Sequence, residues 1–254
     1  MSRLERLAWF GASLLLCLVI GLAWKYVTDQ GLVSRVFLPS PDRTFTALFA
    51  GLSTGDLGAQ MLATIERMLL RWALALLIGV ALGAAIGVLR FARELLGPSL
   101  EFLRPLPASA LIPVAIAFFG LSQTMVVGVI AFGTLWPMLL ATVQGFAAVE
   151  PRLLEVGRML RFNRFEVIAK FALPNALPDI LAGMRLGLTV ALILSVVGEM
   201  LAGQQGLGLR ILLAARAFRS PDLFAGVILL GIIGFASNLL LALAEKRLLR
   251  WRQA

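Results

Sequence analysis

The chain has 254 residues, of which 60% are hydrophobic and 15% are charged, and it carries a net charge of +9. A soluble domain is about 45–50% apolar and about 25% charged. This chain therefore has more apolar surface than one water-facing globule of its length can bury. The composition predicts an integral membrane protein and excludes most classes of soluble enzyme. Its helix-length apolar runs predict an all-α fold, and because no internal repeat, low-complexity tract or linker is present, we expect a single domain over residues 1–254.

Several residue types that enzymes and metal sites need are missing from the sequence. There is no histidine and only one cysteine, Cys17, which excludes imidazole bases, His-ligated metals, Cys clusters and intrachain disulfides. A phosphate-binding P-loop needs a Gly-Lys pair, and none of Lys25, Lys170 and Lys246 follows a glycine. We therefore predict no enzymatic activity, metal or cofactor in this chain, and any ATP must be bound by another subunit.

Six apolar runs are long enough to be considered as membrane spans, which need about 20 residues each. They cover residues 7–23, 71–89, 106–121, 124–143, 180–201 and 223–244. The third run is short and is interrupted by Pro107 and Pro113. If the N-terminus lies inside, the inner side collects most Arg and Lys residues, including those of 152–170 and 246–252. The positive-inside rule thus predicts six spans with both termini cytoplasmic, and it explains the basic charge without nucleic acid.

Two shorter patterns indicate how these helices are arranged. Pro41 or Asp42 predicts the start of a short helix between the first two spans, which should end by Gly51. Glycines recur four residues apart in the second and fifth predicted spans, at Gly79, Gly83 and Gly87 and at Gly183 and Gly187. This spacing lets helix backbones approach closely, and we expect packing within the chain rather than against another subunit.

The longest predicted cytoplasmic segment, residues 148–179, has a helical pattern of its own. Glu150-Pro151 is typical of a helix start, and Leu153, Val156 and Leu160 recur at helical spacing. A second helix over 164–171 should break at the following Leu-Pro pairs. The pattern alone fits either a surface helix resting on lipid or a helix that docks on a cytoplasmic partner.

The residues of this segment resemble the Glu-Ala-Ala loop of ABC importer permeases. That loop has Glu-Ala-Ala, a Gly six residues after the Glu, and Leu-Pro near the next span; here Glu155, Leu173 and Pro174 match. The flanking sequences are similar to the nitrate/sulfonate/taurine-type permeases. They include Leu103-Arg-Pro-Leu-Pro107, Gly198-Glu-Met-Leu201, Gly206-Leu-Gly208 and Arg247-Leu-Leu-Arg-Trp-Arg252. The resemblance runs from about Phe37 to the C-terminus.

The resemblance implies a type I ABC importer permease of MetI-like fold, located in the bacterial inner membrane. Its implied partners are a second permease copy, a cytoplasmic ATPase dimer that carries ATP and Mg, and an external solute-binding protein. The docking residues implied for the coupling helix are Glu155, Gly157, Arg158, Leu160, Arg161, Phe162 and Asn163, with Leu173 and Pro174 at the end of the loop. The implied solute is a small anion such as nitrate, an aliphatic sulfonate or taurine.

This sequence departs from the loop pattern at one important position. Arg161 stands where the family has the glycine that permits a left-handed turn, and that conformation costs an ordinary residue roughly 1–2 kcal/mol. Because Asn163 tolerates the left-handed region, we expect the helix to run slightly longer and to turn near Asn163.

Polar residues at membrane depth are candidates for the translocation path, because burying them in lipid is unfavourable. The candidates are Arg104, Gln123, Arg185, Thr189 and Glu199. Each also has a structural interpretation: Arg104 as an interfacial anchor, Arg185 as a snorkelling or paired cation, and Glu199 as a partner of the 203–208 loop. A non-anionic solute, such as a pyrimidine vitamin precursor, stays an alternative. So does a secondary transporter, although the inverted repeats and intramembrane carboxylates of that class are not evident.

Overall fold

The computed structural model describes residues 3–53, 55–103 and 106–252, and within these ranges it contains helices and no strand. The α-helices are α1 (Arg3–Asp29), α2 (Pro41–Ser53), α3 (Leu57–Val88), α4 (Arg90–Leu103), α5 (Ile112–Phe119), α6 (Gln123–Ala147), α7 (Pro151–Met159), α8 (Arg164–Val167), α9 (Leu173–Ala202), α10 (Leu207–Arg216) and α11 (Ser220–Leu248). Short 3₁₀ turns cover Ala108–Leu111 and Arg250–Arg252, and a π turn covers Ile168–Ala172. The predicted all-α class is confirmed.

Five helical segments of the described chain are long and apolar enough to cross a membrane. They are Gly11–Asp29, Leu57–Val88, Gln123–Ala147, Arg164–Ala202 and Ser220–Leu248. They coincide with five of the six predicted runs but extend beyond them. The second, for example, begins at Leu57 rather than at residue 71, because hydropathy marks the hydrocarbon-facing part of a helix while the helix itself continues into the polar layer.

The third predicted span differs from the prediction. Instead of one helix over 106–121, the chain forms a 3₁₀ turn followed by α5, which is too short to cross the hydrocarbon alone. The segment Ala108–Phe119, which contains the 3₁₀ turn and α5, follows α4 at a bend of 80°. If α4 and this segment are counted as one broken span, they make the sixth candidate span. Pro107 and Pro113 account for the short helical pieces, since proline cannot continue an existing helix hydrogen-bond pattern.

The chain divides into two compact units, and the single domain predicted for residues 1–254 stays a prediction. The first unit contains Met1–Leu62 and Gln205–Gly231. In it the indole N–H of Trp24 donates to the carbonyl of Pro39 at 2.9 Å, and Nζ of Lys25 lies 2.7 Å from Oδ2 of Asp42. These bonds hold the start of α2 against α1. The predicted start of this short helix at Pro41 is confirmed, and its end lies at Ser53, just beyond Gly51.

The second unit contains Ala63–Gln204 and Ile232–Ala254, and α6 lies at its centre between α3 and α9. A Cβ on Gly83 would lie 2.7 Å from the carbonyl oxygen of Leu139 and 2.7 Å from Cβ of Thr142. On the other side, a Cβ on Gly183 would lie 2.8 Å from the carbonyl oxygen of Pro137. The glycine-spaced faces therefore pack within the chain, as expected, and they allow backbones to approach where no side chain fits.

Candidate functional site

The predicted docking segment, which we call the coupling loop (residues 148–179), begins with a well-defined helix. Glu150 is the residue before α7, with extended backbone angles, and Pro151 is its first helical residue. Proline is favoured there because its missing N–H would have no partner within the helix. The predicted helix start is confirmed.

The end of α7 contradicts the expectation of a longer helix. Arg161 itself adopts the left-handed conformation, with φ of 56°, and α7 ends at Met159. The N–H of Phe162 donates to the carbonyl of Gly157 at 2.9 Å, and the N–H of Arg161 donates to the carbonyl of Arg158 at 3.0 Å. These two bonds are those of a Schellman motif, which satisfies the last carbonyls of the helix. The predicted turn at Asn163 is therefore wrong. The two local hydrogen bonds offset the conformational cost of the positive φ at Arg161.

Replacing Arg161 by glycine should stabilise this turn. Arg161→Gly removes the steric cost of a side chain at positive φ, so we expect the free energy of unfolding to rise by roughly 1 kcal/mol or less after the extra chain entropy of glycine. The melting temperature of the purified chain measures this, with Arg161→Ala as the control that keeps the strain. An Arg161→Gly variant no more stable than Arg161→Ala would contradict the strain argument.

After the turn, the coupling loop is held by contacts on both sides of Asn163. The Asn163 side chain accepts from the N–H of Glu166 at 2.9 Å, while the Glu166 carboxylate accepts from the N–H of Asn163 at 2.8 Å. This capping box starts α8. The ring of Phe162 lies 5.9 Å from that of Phe171, and Nζ of Lys170 lies 4.0 Å from the Phe162 ring centroid. Phe162 thus ties the turn to the helix that follows.

Gly157 is the buried position of α7, and the remaining predicted docking residues are accessible. A Cβ at Gly157 would lie 3.3 Å from Cε2 of Phe171, so the small residue lets α7 lie flat on the chain behind it. Glu155, Arg158 and Arg161 are exposed. The largest apolar exposures nearby are those of Met159 at 83% and Phe165 at 84%. The coupling loop therefore presents a fixed surface that combines apolar side chains with charges of both signs.

The predicted break after the second helix of the loop is wrong. The helix from Arg164 continues through the π turn into α9, and Leu173 and Pro174 lie inside this continuous segment. The N–H of Leu173 donates to the carbonyl of Ile168, five residues back. The wider π turn makes room for the ring of Pro174, which would otherwise crowd the carbonyl four residues earlier. A single rod thus joins the coupling loop to a membrane span.

Four of the five residues predicted for the translocation path lie in the described part of the chain. Arg104 lies outside the described residues. Gln123 is exposed at the first position of α6, and Thr189 donates from its hydroxyl to the carbonyl of Arg185 at 3.3 Å. Arg185 is paired with Glu245 of α11, which fits the structural interpretation of this cation. The role of these residues in translocation stays a prediction.

Glu199, the remaining candidate, is fully buried in a polar cluster of the second unit. Its Oε2 accepts from the hydroxyl of Thr64 at 3.0 Å, and its Oε1 lies 3.1 Å from Nη1 of Arg67. Arg71, one turn further along α3, is 6% exposed and reaches Oε1 of Gln204 at 3.4 Å. The sequence analysis did not connect Arg67 and Arg71 with Glu199, because no local pattern links these residues of α3 to a residue in another helix.

A cleft of about 560 Å³ opens between α6, α9 and the 106–109 segment, and the sequence had not indicated it. Its lining residues are Leu106, Ala108, Ser109, Gly133, Trp136, Pro137, Leu140, Ala141, Gln144, Leu186, Val190, Ile193, Leu194 and Val197. None of these described lining residues is charged. The one signal in the sequence is Gln144, an amide one residue beyond the predicted fourth span, 124–143. The cleft has the size of a small-molecule site.

Comparison of the sequence with known proteins agrees with the helical membrane architecture described above. The model of the family "binding-protein-dependent transport system inner membrane component" matches residues 75–252. The putative aliphatic sulfonates transport permease protein SsuC of Bacillus subtilis is 33% identical over 254 residues, covering 98% of this chain and 90% of that protein. The taurine transport system permease protein TauC of Escherichia coli is 29% identical over 238 residues, covering 92% and 86%.

A solved structure of the MetNI methionine ABC transporter in an inward facing conformation shares the fold. It superposes with a TM-score of 0.62 at 17% identity, covering 76% of this chain and 94% of that one. The likeness in fold, together with the family match and the relatives, settles the class of the protein. The chain belongs to the binding-protein-dependent transport system inner membrane components, the permeases of ABC importers.

Proposed function

We propose that this permease imports a small organic sulfonate, as part of an ATP-driven assembly. Two copies of the chain form the pathway, an ATPase dimer carrying ATP and Mg docks on the coupling loops, and an external binding protein delivers the solute. Both termini lie in the cytoplasm. The observation that carries the docking part of the proposal is the exposed face of α7, because a face fixed at both ends and rich in exposed apolar side chains is suited to a partner.

Motion of the ATPase can reach the membrane through a short physical connection. The coupling loop runs into α9 as one helical segment, Arg164–Ala202, so displacement of α7 is transmitted along a hydrogen-bonded rod rather than through a flexible linker. Trp72 of α3 donates its indole N–H to the carbonyl of Met184 in α9 at 3.0 Å. A moving α9 would therefore carry α3 with it. This is coupling through rigid elements, and the chain itself performs no chemistry.

The solute class is supported by the relatives and by the cleft. SsuC and TauC are described as permeases for aliphatic sulfonates and taurine. The cleft wall is mainly apolar, with Ser109, Trp136 and Gln144 as its polar groups. Such a wall suits an organic chain bearing a polar head, and its described residues carry no fixed charge that would trap the anion during passage.

Reconstitution tests the function directly. The chain is placed in proteoliposomes with its ATPase and binding protein, and uptake of labelled ethanesulfonate, taurine, nitrate and an uncharged pyrimidine vitamin precursor is measured. We expect uptake of a sulfonate only with ATP. Uptake of the uncharged solute in place of sulfonates would refute the proposed solute class, and uptake driven by an ion gradient without the ATPase would refute the importer assembly.

A further inference from the structure

Arg71 is a buried cation with little of its hydrogen-bonding capacity used. It is 6% exposed, its Nη2 reaches Oε1 of Gln204 at the long distance of 3.4 Å, and its Nη1 has no hydrogen-bond partner among the residues that the structure describes. A guanidinium carries five N–H donors, and buried charges are normally paired. A neutral amide at this distance does not meet that need.

The charges around Arg71 do not cancel. The charged side chains that act on it are Arg67 and Glu199. Glu199 is engaged by Arg67 at 3.1 Å and by the hydroxyl of Thr64 at 3.0 Å. The cluster therefore contains two cations and one carboxylate. Because the Arg67 side chain is 25% exposed and Arg71 is 6% exposed, water reaches Arg67, and the charge without a counter-ion falls mainly on Arg71.

Gln204 supplies a second unused donor beside the first. Its Oε1 faces Arg71, and its Nε2 is buried with no hydrogen-bond partner in the described part of the chain. Arg71 and Gln204 thus each carry an N–H donor that has no acceptor in the described part of the chain. Buried donors of this kind are commonly satisfied by a bound water or ion. A water would satisfy the donors, but only an anion would also balance the charge.

We propose that Arg71 and Gln204 bind one small inorganic anion of halide size, which neutralises the excess charge of the Arg67–Arg71–Glu199 cluster. The near-complete burial of Arg71 favours a single small ion over an organic solute, which would need an open space for its carbon chain. The site is therefore distinct from the cleft between α6 and α9. The anion is expected to bind there whichever solute the permease carries.

Substituting the proposed ion by a carboxylate gives a sharp test. Gln204→Glu places a negative charge next to Arg71 at nearly unchanged volume. The melting temperature of the full chain in lipid nanodiscs is measured against bromide concentration, with gluconate keeping the ionic strength constant. The wild-type chain should be stabilised by bromide in a saturable manner. The Gln204→Glu variant should be more stable than wild type in gluconate and should show no saturable bromide response.

Three further variants and one further anion complete the test. Glu199→Gln removes the carboxylate that acts on Arg71 and should lower the apparent Kd for bromide by about tenfold, whereas Arg71→Gln should raise it at least tenfold. Arg90→Gln, at an exposed site on α4, should respond as wild type does. The proposal is overturned if wild type shows no saturable bromide response, if Gln204→Glu keeps that response, or if methanesulfonate stabilises the chain while bromide does not.

Discussion

Replacing Gly83 by valine is expected to prevent α3 from packing on α6 and to leave little folded protein. A Cβ at this position would lie 2.7 Å from the carbonyl oxygen of Leu139 and 2.7 Å from Cβ of Thr142. The carbonyl belongs to the hydrogen-bonded backbone of α6 and cannot rotate away as a flexible side chain could. Overpacking of a core costs about 1–3 kcal/mol when side chains yield. We expect a larger loss here, which is a large share of the roughly 5–15 kcal/mol that stabilises a typical domain.

A matched substitution separates this contact from the general effect of valine in a helix. Gly21, in α1, has no atom of another part of the described chain within 4 Å of the position its Cβ would occupy. Gly21→Val should therefore be tolerated, with nearly wild-type yield and melting temperature. The measurement is the fraction of each fluorescent fusion that elutes as a single species from size-exclusion chromatography. Equal yields for Gly83→Val and Gly21→Val would show that α3 and α6 do not depend on close backbone contact.

Local signals in the sequence predicted the local structure well. The start of α7 at Glu150-Pro151 and that of α2 at Pro41 depend on residues adjacent in the chain, so both could be recognised without the fold. The glycine spacing on α3 also indicated a close approach. It could not name α6 as the neighbouring helix, because the contact joins residues far apart in sequence.

The two wrong predictions concern residues whose own conformational preference is offset by hydrogen bonds of the neighbouring backbone. The prediction for Arg161 depends on the intrinsic cost of a positive φ for a non-glycine residue. The Schellman hydrogen bonds to the carbonyls of Gly157 and Arg158 offset that cost. Pro174 was judged as a helix breaker, which holds for a regular α-helix; the preceding π turn changes the hydrogen-bond register and lets the helix continue. Neither compensation leaves a distinctive pattern in the sequence.

The polar cluster around Glu199 could not be predicted for a different reason. Thr64 and Arg67 lie more than a hundred positions from Glu199, and the cluster exists only because α3 and α9 pack side by side. The cleft beside Trp136 has the same origin, since three separate segments form its wall. Sequence reasoning locates polar residues in spans, but their partners depend on which helices become neighbours.

Reversing the charge at Glu155 is expected to weaken docking of the ATPase, and so to lower both uptake and solute-stimulated ATP hydrolysis, while leaving the chain inserted and folded. Glu155 is exposed on α7, and its buried neighbour Gly157 holds the helix in place, so the substitution should not disturb packing. If the ATPase groove presents a positive charge to Glu155, arginine there replaces attraction by repulsion. Truncating one partner of a buried charge pair at an interface costs about 2–5 kcal/mol. Solute-stimulated ATPase activity and uptake should each fall at least roughly tenfold, which corresponds to about 1.4 kcal/mol.

The appropriate control is the same reversal outside the coupling loop. Glu101, in α4, is also exposed, so Glu101→Arg changes the net charge equally without altering α7. Its uptake should stay close to that of wild type. Pull-down of the ATPase by each variant distinguishes lost docking from lost transmission, and we expect Glu155→Arg to retain less ATPase than Glu101→Arg. Because the two variants carry the same charge change, equal ATPase retention and equal uptake would exclude Glu155 from the docking surface.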